Sequence, residues 1–263
     1  MFRKVAILVF LGLAAALYPA PSVAGEDGMC SAGSAESYDE LSAIWSPCAT
    51  ARGSLVAQTT YLQNASAVGG TALAAYPMVD LRTGIAPALE LAFHAPSQVA
   101  ESGAHGIGLY PATHLGYGLR YGFLRTSRIA ATVVTDVLPP MSRFAPNQLQ
   151  PRYVFGVSSA YAVSPRLDVG FAASGTSSQT VGFQRVLPSE ALNTSYAVGK
   201  NTAISSDIGN RFPGRRAPQT FGDLALNQAL VHNLTFRLGA GTTFNPAMNS
   251  KAHYLASGFN YKI

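Results

Sequence analysis

The printed chain closes on Ser257-Gly258-Phe259-Asn260-Tyr261-Lys262-Ile263, seven residues that alternate strictly in character. Phe259, Tyr261 and Ile263 face one side of the predicted strand, and the Gly, Asn and Lys residues between them face the other. Such alternation is typical of a β-strand with one apolar and one polar face. A soluble protein rarely ends its chain on a strand of this kind, because an exposed apolar edge promotes aggregation.

The same alternation recurs after Cys48, in about twelve segments separated by turn residues. It is clearest over 114–123, where Leu, Tyr and Phe alternate with His, Gly and Arg. Each segment approaches the roughly 9–11 residues that a tilted membrane-spanning strand needs. The predicted strands are 55–62, 73–82, 89–95, 114–123, 129–137, 152–161, 167–174, 190–198, 204–211, 223–227, 234–241 and 257–263.

The connections after the second, fourth, sixth, eighth and tenth segments are short, and the others are longer. Loops are predicted over 96–111, 177–189 and 244–251. Transmembrane barrels have short periplasmic turns and longer external loops, whereas a β-sandwich has no reason to sort its connections in this way. The predicted fold class is therefore all-β, a transmembrane antiparallel up-and-down β-barrel of about twelve strands. We expect segment twelve to pair with segment one, because unpaired backbone groups are costly in lipid.

The N-terminus has the pattern of an export signal. Arg3 and Lys4 precede an apolar run over 5–17, and Ser22-Val23-Ala24 forms a small-x-small cleavage site. We predict a signal peptide over 1–24, cleaved after Ala24; retention as an anchoring helix is the weaker alternative. No later run approaches the roughly 20 apolar residues that a transmembrane helix needs.

Composition excludes some classes of function. Only 12% of residues are charged, about half the share usual in soluble domains. Without Arg3 and Lys4, the sixteen remaining bases exceed the thirteen acids by three, which is too small an excess to indicate a nucleic-acid partner. Low charge and many aromatic residues without long apolar runs fit a membrane barrel better than a secreted sandwich.

The two cysteines, Cys30 and Cys48, lie close together near the predicted mature N-terminus. In an exported protein, such a pair is expected to form a disulfide that closes a small loop. Free thiols or a metal site are weaker alternatives, since no His lies in this segment. The predicted domains are the signal peptide over 1–24, a disulfide-closed periplasmic segment over 25–53 and the barrel over 54–263.

The closing stretch resembles the C-terminal signal of bacterial outer-membrane β-barrels, with Ser257, Gly258, Tyr261 and Ile263 at the fixed positions of that signal. The resemblance implies insertion into the outer membrane by the barrel-assembly machinery. The expected surroundings are outer-membrane lipid and lipopolysaccharide. The external loop that carries Arg215-Arg216 is expected to be solvated, and it could contact lipopolysaccharide phosphates.

A second resemblance spans roughly residues 75–263. The chain resembles the outer-membrane family linked to the meta-pathway of phenol degradation. The stretches that carry the resemblance are Arg82–Leu91, Leu119–Leu124, Leu138-Pro139-Pro140, Phe221-Gly222-Asp223 and Asn233–Gly239. What it implies is a transporter or channel for hydrophobic or aromatic compounds.

If the apolar faces contact lipid, the polar faces line the lumen. One interpretation of their charges is a packing network of ion pairs, because buried charges need partners. The other is a polar pathway for a solute. The candidate lumen residues are Asp80, Arg82, Glu90, His94, Arg120, Asp136, Arg152, Asp168, Asp207, Arg211, Asp223 and Arg237.

The sequence gives little support to catalysis. No His is followed two residues later by the Ser that a barrel lipase would need, and a His–carboxylate site from His94 and Glu90 is less favoured than a structural role. No metal-ligand spacing or nucleotide-binding motif is present, so no metal or cofactor is expected. The predicted function is an outer-membrane channel or transporter for a small solute. The alternatives are a structural or surface-interaction barrel with a plugged lumen and, less favoured, an outer-membrane hydrolase.

Overall fold

The computed structural model describes residues 46–66, 72–95, 98–103, 106–111, 116–138, 152–180, 183–212, 217–231, 233–245 and 250–263. The predicted signal peptide and Cys30 lie outside these residues. The described part of the chain contains no helix long and apolar enough to cross a membrane, a finding that does not bear on crossing by strands.

Every described element is a β-strand, and all strand pairs are antiparallel. The strands are β1 Leu55–Ser66, β2 Ala72–Ala86, β3 Leu89–Ala95, β4 Gln98–Gly103, β5 Gly106–Pro111, β6 Gly116–Arg125, β7 Ile129–Leu138, β8 Arg152–Ser164, β9 Leu167–Thr180, β10 Phe183–Ala197, β11 Thr202–Arg211, β12 Gln219–Val231, β13 Leu234–Asn245 and β14 Ser250–Lys262.

The strands close into a ring because β1 pairs with both β2 and β14. β3 and β4 pair with successive parts of β2, so together they form one interrupted wall strand, and β5 and β6 form the next in the same way. The ring therefore has twelve strands, and the predicted twelve-stranded antiparallel barrel is confirmed.

The predicted pairing of the last strand with the first is confirmed. The register runs from Val56 opposite Lys262 to Ser66 opposite Ala252. Two backbone hydrogen bonds extend it, from the Leu55 amide to the Ile263 carbonyl at 3.0 Å and from the Ile263 amide to the Leu55 carbonyl at 2.8 Å. No strand edge of the ring is left open at this seam.

Two predicted loops are wrong in part. Residues 98–103 and 106–111 form β4 and β5, and β9 and β10 extend across most of 177–189. Both stretches contain Gly, Ser and Gln residues with weak alternation. A neighbouring strand nevertheless offers each of them a free backbone edge, and pairing overrides the side-chain pattern. The predicted loop over 244–251 shrinks to the residues between β13 and β14.

The two ends of the barrel differ. At the end where β1 begins and β14 finishes, here called the turn end, short turns follow β2, β6, β8, β10 and β12. At the opposite end, here called the loop end, the longest connection lies between β7 and β8. The turn end is therefore the end that is predicted to face the periplasm.

The outer face is apolar, as the alternation predicted. Aromatic residues are exposed on it near both ends, a distribution that matches the interfacial girdles of membrane barrels. Those near the turn end are Phe123, Tyr161, Tyr196 and Tyr261, and those near the loop end are Tyr153, Phe155 and Phe244. Leu, Ile and Val residues between the girdles are also exposed, including Val133, Leu192, Ile208 and Leu226.

We expect the seam between β1 and β14 to be intolerant of a side chain at Gly258. A Cβ there would overlap the carbonyl oxygen of Thr59 on β1. Gly258→Ala should therefore destabilise the refolded barrel by about 2 kcal/mol, the usual cost of overpacking. The measurement is the fraction of heat-modifiable, folded protein on gels as urea is raised.

Gly222→Ala is the matched control, because the nearest atom to a Cβ there is the Asp207 carbonyl oxygen at 3.6 Å, an ordinary contact. Equal unfolding midpoints for the two variants would contradict this account of the seam.

Candidate functional site

Six charged residues meet on the inner wall of β2, β3, β6 and β7. We call them the lumen charge cluster: Asp80, Arg82, Glu90, His94, Arg120 and Asp136. Strand register brings them together, since Asp80 lies opposite His94 and Glu90 lies opposite Arg120. Alternate residues of a strand share a face, so the pairing of these strands places all six side chains on the lumen side.

Glu90 is the centre of the cluster and is 0% exposed. Its Oε1 lies 3.2 Å from Nη1 of Arg120, and its Oε2 lies 3.8 Å from Nη1 of Arg82. Thr50 donates two hydrogen bonds to Oε2, from its amide at 2.7 Å and from its hydroxyl at 2.6 Å. Two guanidinium groups and two further donors thus stabilise a carboxylate that burial alone would disfavour.

His94 bridges the two aspartates of the cluster. Its Nδ1 is hydrogen-bonded to Oδ1 of Asp80, and its Nε2 lies 3.5 Å from Oδ1 of Asp136. Gly118 makes room for this arrangement, because a Cβ at that position would overlap the Asp136 carboxylate. The His94–Glu90 catalytic pair considered from the sequence is not formed, since His94 contacts the aspartates and Glu90 contacts the arginines.

The segment over 46–54 lies against the same wall. The Pro47 carbonyl accepts a hydrogen bond from Thr132 Oγ1 at 2.5 Å, and Cys48 packs on Ala130. Near the turn end, the Gly53 amide donates to the Gly84 carbonyl at 2.9 Å, and Gly53 has a positive φ of 79°. The last part of the predicted periplasmic segment 25–53 therefore enters the barrel and narrows its lumen. The Cys30–Cys48 disulfide stays a prediction.

A second polar group lies half-way round the ring, on β10, β11, β12 and β14, and faces the lumen charge cluster across the barrel. Asp207 and Asp223 are directly opposite each other in register. Asn193 donates a hydrogen bond to Asp207, and the Tyr254 hydroxyl donates to Asp223 at 2.8 Å. We call these four residues the acidic group.

The remaining candidate lumen residues are more dispersed. The Arg211 guanidinium lies 5.0 Å from the centre of the Phe221 ring, near the loop end. Asp168 and Arg237 are partly buried. Arg152 is the first residue of β8, and its side chain lies outside the described part of the protein.

Sequence reasoning missed the uncharged partners of the site. Thr132, Asn193 and Tyr254 had a detectable signal, since each occupies a lumen-facing position in an alternating strand. Thr50 had none, because it precedes the first strand and reaches Glu90 only through the tertiary fold. Among the described residues, no group of three or more His, Cys, Asp or Glu has the geometry of a metal site.

No protein-family model matches the sequence, and neither does any curated protein sequence. Solved structures do match the fold. A COG4313 outer-membrane channel from Pseudomonas putida F1 superposes with a TM-score of 0.62 at 15% identity, over 86% of this chain and 100% of the channel.

Two porins match with lower scores. NanC porin matches with a TM-score of 0.55 at 9% identity, over 78% of this chain and 100% of the porin. KdgM porin, solved with disordered oligogalacturonate, matches at 0.50 and 12% identity, over 78% of this chain and 98% of the porin. At these identities the likeness concerns the fold, and the chain has the β-barrel fold of outer-membrane channels.

Proposed function

We propose that the protein is an outer-membrane channel that carries a small solute through the lumen of its barrel. The single observation that carries the proposal is the sorting of side chains across one closed wall, with an apolar face outside and a charged, hydrogen-bonded face inside. A closed ring satisfies the backbone in lipid, so the inner face alone is available for polar contacts.

The two facing polar groups support a route along the barrel axis. The lumen charge cluster contributes both signs of charge, and the acidic group contributes two carboxylates on the opposite wall. A solute between them would meet hydrogen-bonding groups on both sides. The fold shared with the COG4313 channel and the NanC porin supports the same role.

The proposed solute is small, because the segment over 46–54 occupies part of the lumen. The resemblance to the phenol-degradation family extends the proposal to hydrophobic or aromatic compounds. That extension rests on sequence resemblance, and uptake of radiolabelled toluene or phenol into proteoliposomes would test it.

A specific observation favours a second candidate, a structural barrel with a plugged lumen. Lumen-facing residues on both walls are almost completely buried, among them Glu90 at 0%, Arg120 at 1% and Ser205 at 2% exposed. A wide water-filled pore would leave such side chains accessible. In this alternative, the charges fill and rigidify the interior and conduct nothing.

Single-channel conductance in a planar bilayer separates the two candidates. For a channel, we expect discrete current steps from the refolded protein. Asp207→Asn removes one wall charge and keeps a hydrogen-bonding group, so it should lower the cation-over-anion preference by about fivefold, equivalent to about 1 kcal/mol.

Glu190→Gln is the matched control, because Glu190 is exposed on the outer face of β10 and its change removes the same charge. Its selectivity should equal that of the wild type. A folded but silent wild-type protein would contradict the channel proposal and favour the plugged barrel.

The stabilising role of the lumen charge cluster is testable separately. Glu90→Ala leaves two buried guanidinium groups without their shared carboxylate, so the free energy of unfolding should fall by about 3–5 kcal/mol. The measurement is urea unfolding of the refolded protein, followed by circular dichroism. Glu190→Ala, on the exposed outer face, should change stability by no more than about 0.5 kcal/mol. Equal losses in both variants would refute a special role for Glu90.

A further inference from the structure

The turn end of the barrel carries charges of one sign. A base lies within each of the turns after β6, β8 and β10. No Asp or Glu lies in the turns at this end, or at the residues that flank them. We call this set the basic collar: Arg128, Arg166 and Lys200.

The collar side chains point into solvent in the isolated barrel. All three are exposed. The salt bridges of the lumen charge cluster involve no collar residue. The collar is therefore not part of the ion-pair network that stabilises the interior.

The turns hold the backbone of the collar in place. The Thr126 hydroxyl accepts hydrogen bonds from the amides of Arg128 at 3.3 Å and Ile129 at 2.9 Å. The Ser164 hydroxyl accepts in the same way from Arg166 at 3.2 Å and Leu167 at 3.1 Å. The two neighbouring hairpins therefore have the same type of turn, in which an Arg lies two residues after the Thr or Ser whose hydroxyl accepts the hydrogen bonds.

The aromatic girdle at the turn end indicates the depth of the basic collar in the membrane. Phe123, Tyr161, Tyr196 and Tyr261 form the aromatic girdle at the turn end, and aromatic girdles lie at the boundary between hydrocarbon and headgroups. The collar residues lie in or next to the turns just beyond this girdle. Long basic side chains at that level reach the lipid phosphates.

We propose that the basic collar binds the phosphate groups of anionic phospholipids, of the phosphatidylglycerol class, in the leaflet that surrounds the turn end. A lipid leaflet fits the distribution better than a protein partner does. The three cations lie in the turns of three successive hairpins, and a lipid leaflet along this side of the barrel can contact all three at once. This inference needs a membrane-embedded barrel, and it does not depend on whether the lumen conducts.

The test uses the refolded full chain in neutral detergent micelles, with short-chain phosphatidylglycerol and phosphatidylcholine as probes and native mass spectrometry as the readout. We expect the anionic lipid to bind at least about tenfold more tightly than the zwitterionic one, given the usual attraction of each surface base for anionic lipid. Raising the salt from about 0.1 M to about 1 M should abolish the difference, because the Debye length falls from about 10 Å to about 3 Å.

The variant Arg128→Gln, Arg166→Gln, Lys200→Gln should lose the preference and still fold, since all three side chains are exposed. The matched control neutralises three bases near the loop-end termini of β8, β10 and β14, Arg152→Gln, Arg185→Gln and Lys251→Gln, and should keep the preference. An equal affinity of the wild type for both lipids, equal losses in the two triple variants, or full competition by inorganic phosphate would each overturn the proposal. If the wild type shows no preference for anionic lipid but the collar variant conducts like the wild type, the lipid proposal fails and the channel proposal is unaffected.

Discussion

Backbone hydrogen bonding between β1 and β14 is the constraint on which the rest of the structure depends. In hydrocarbon, each unpaired amide or carbonyl costs several kcal/mol, so a membrane-spanning sheet must have no free edge. The register from Val56 opposite Lys262 to Ser66 opposite Ala252 meets that requirement. Once the ring is closed, alternate side chains face either lipid or lumen. Most charged side chains on the described strands face the lumen, and Glu190 on the outer face of β10 is an exception.

Sending the charges inward creates the second constraint, because a buried charge needs a partner. In the lumen charge cluster, Glu90 is paired with Arg82 and Arg120, and His94 is paired with Asp80 and Asp136. The segment over 46–54 adds the donors of Thr50 from outside the strands. The groups that would meet a solute are therefore also groups that stabilise the barrel, so the functional and structural interpretations of these charges overlap.

The two ends of the barrel differ in their connections and in their charged residues. The turn end has tight hairpins held by the Thr126 and Ser164 hydroxyls, and its basic residues lie just beyond a ring of exposed aromatic residues. The loop end has the longest connection and the Arg211–Phe221 contact. Both the start of β1 and the end of β14 also lie at the turn end.

The sequence alone determined the fold class, the strand number, the short turns and the direction of most side chains, because alternation with a period of two is a local property of a strand. It also led to a prediction of the charges that face inward. Only the tertiary structure decided which of those charges touch, because contacts such as Glu90 with Arg120 depend on the register between strands. It alone revealed β4, which pairs with β2, and β5, which pairs with β4, although the residue pattern of both is weak. It also revealed the entry of Thr50 into the lumen. Those features rest on long-range backbone and side-chain contacts, which no local pattern of residues encodes.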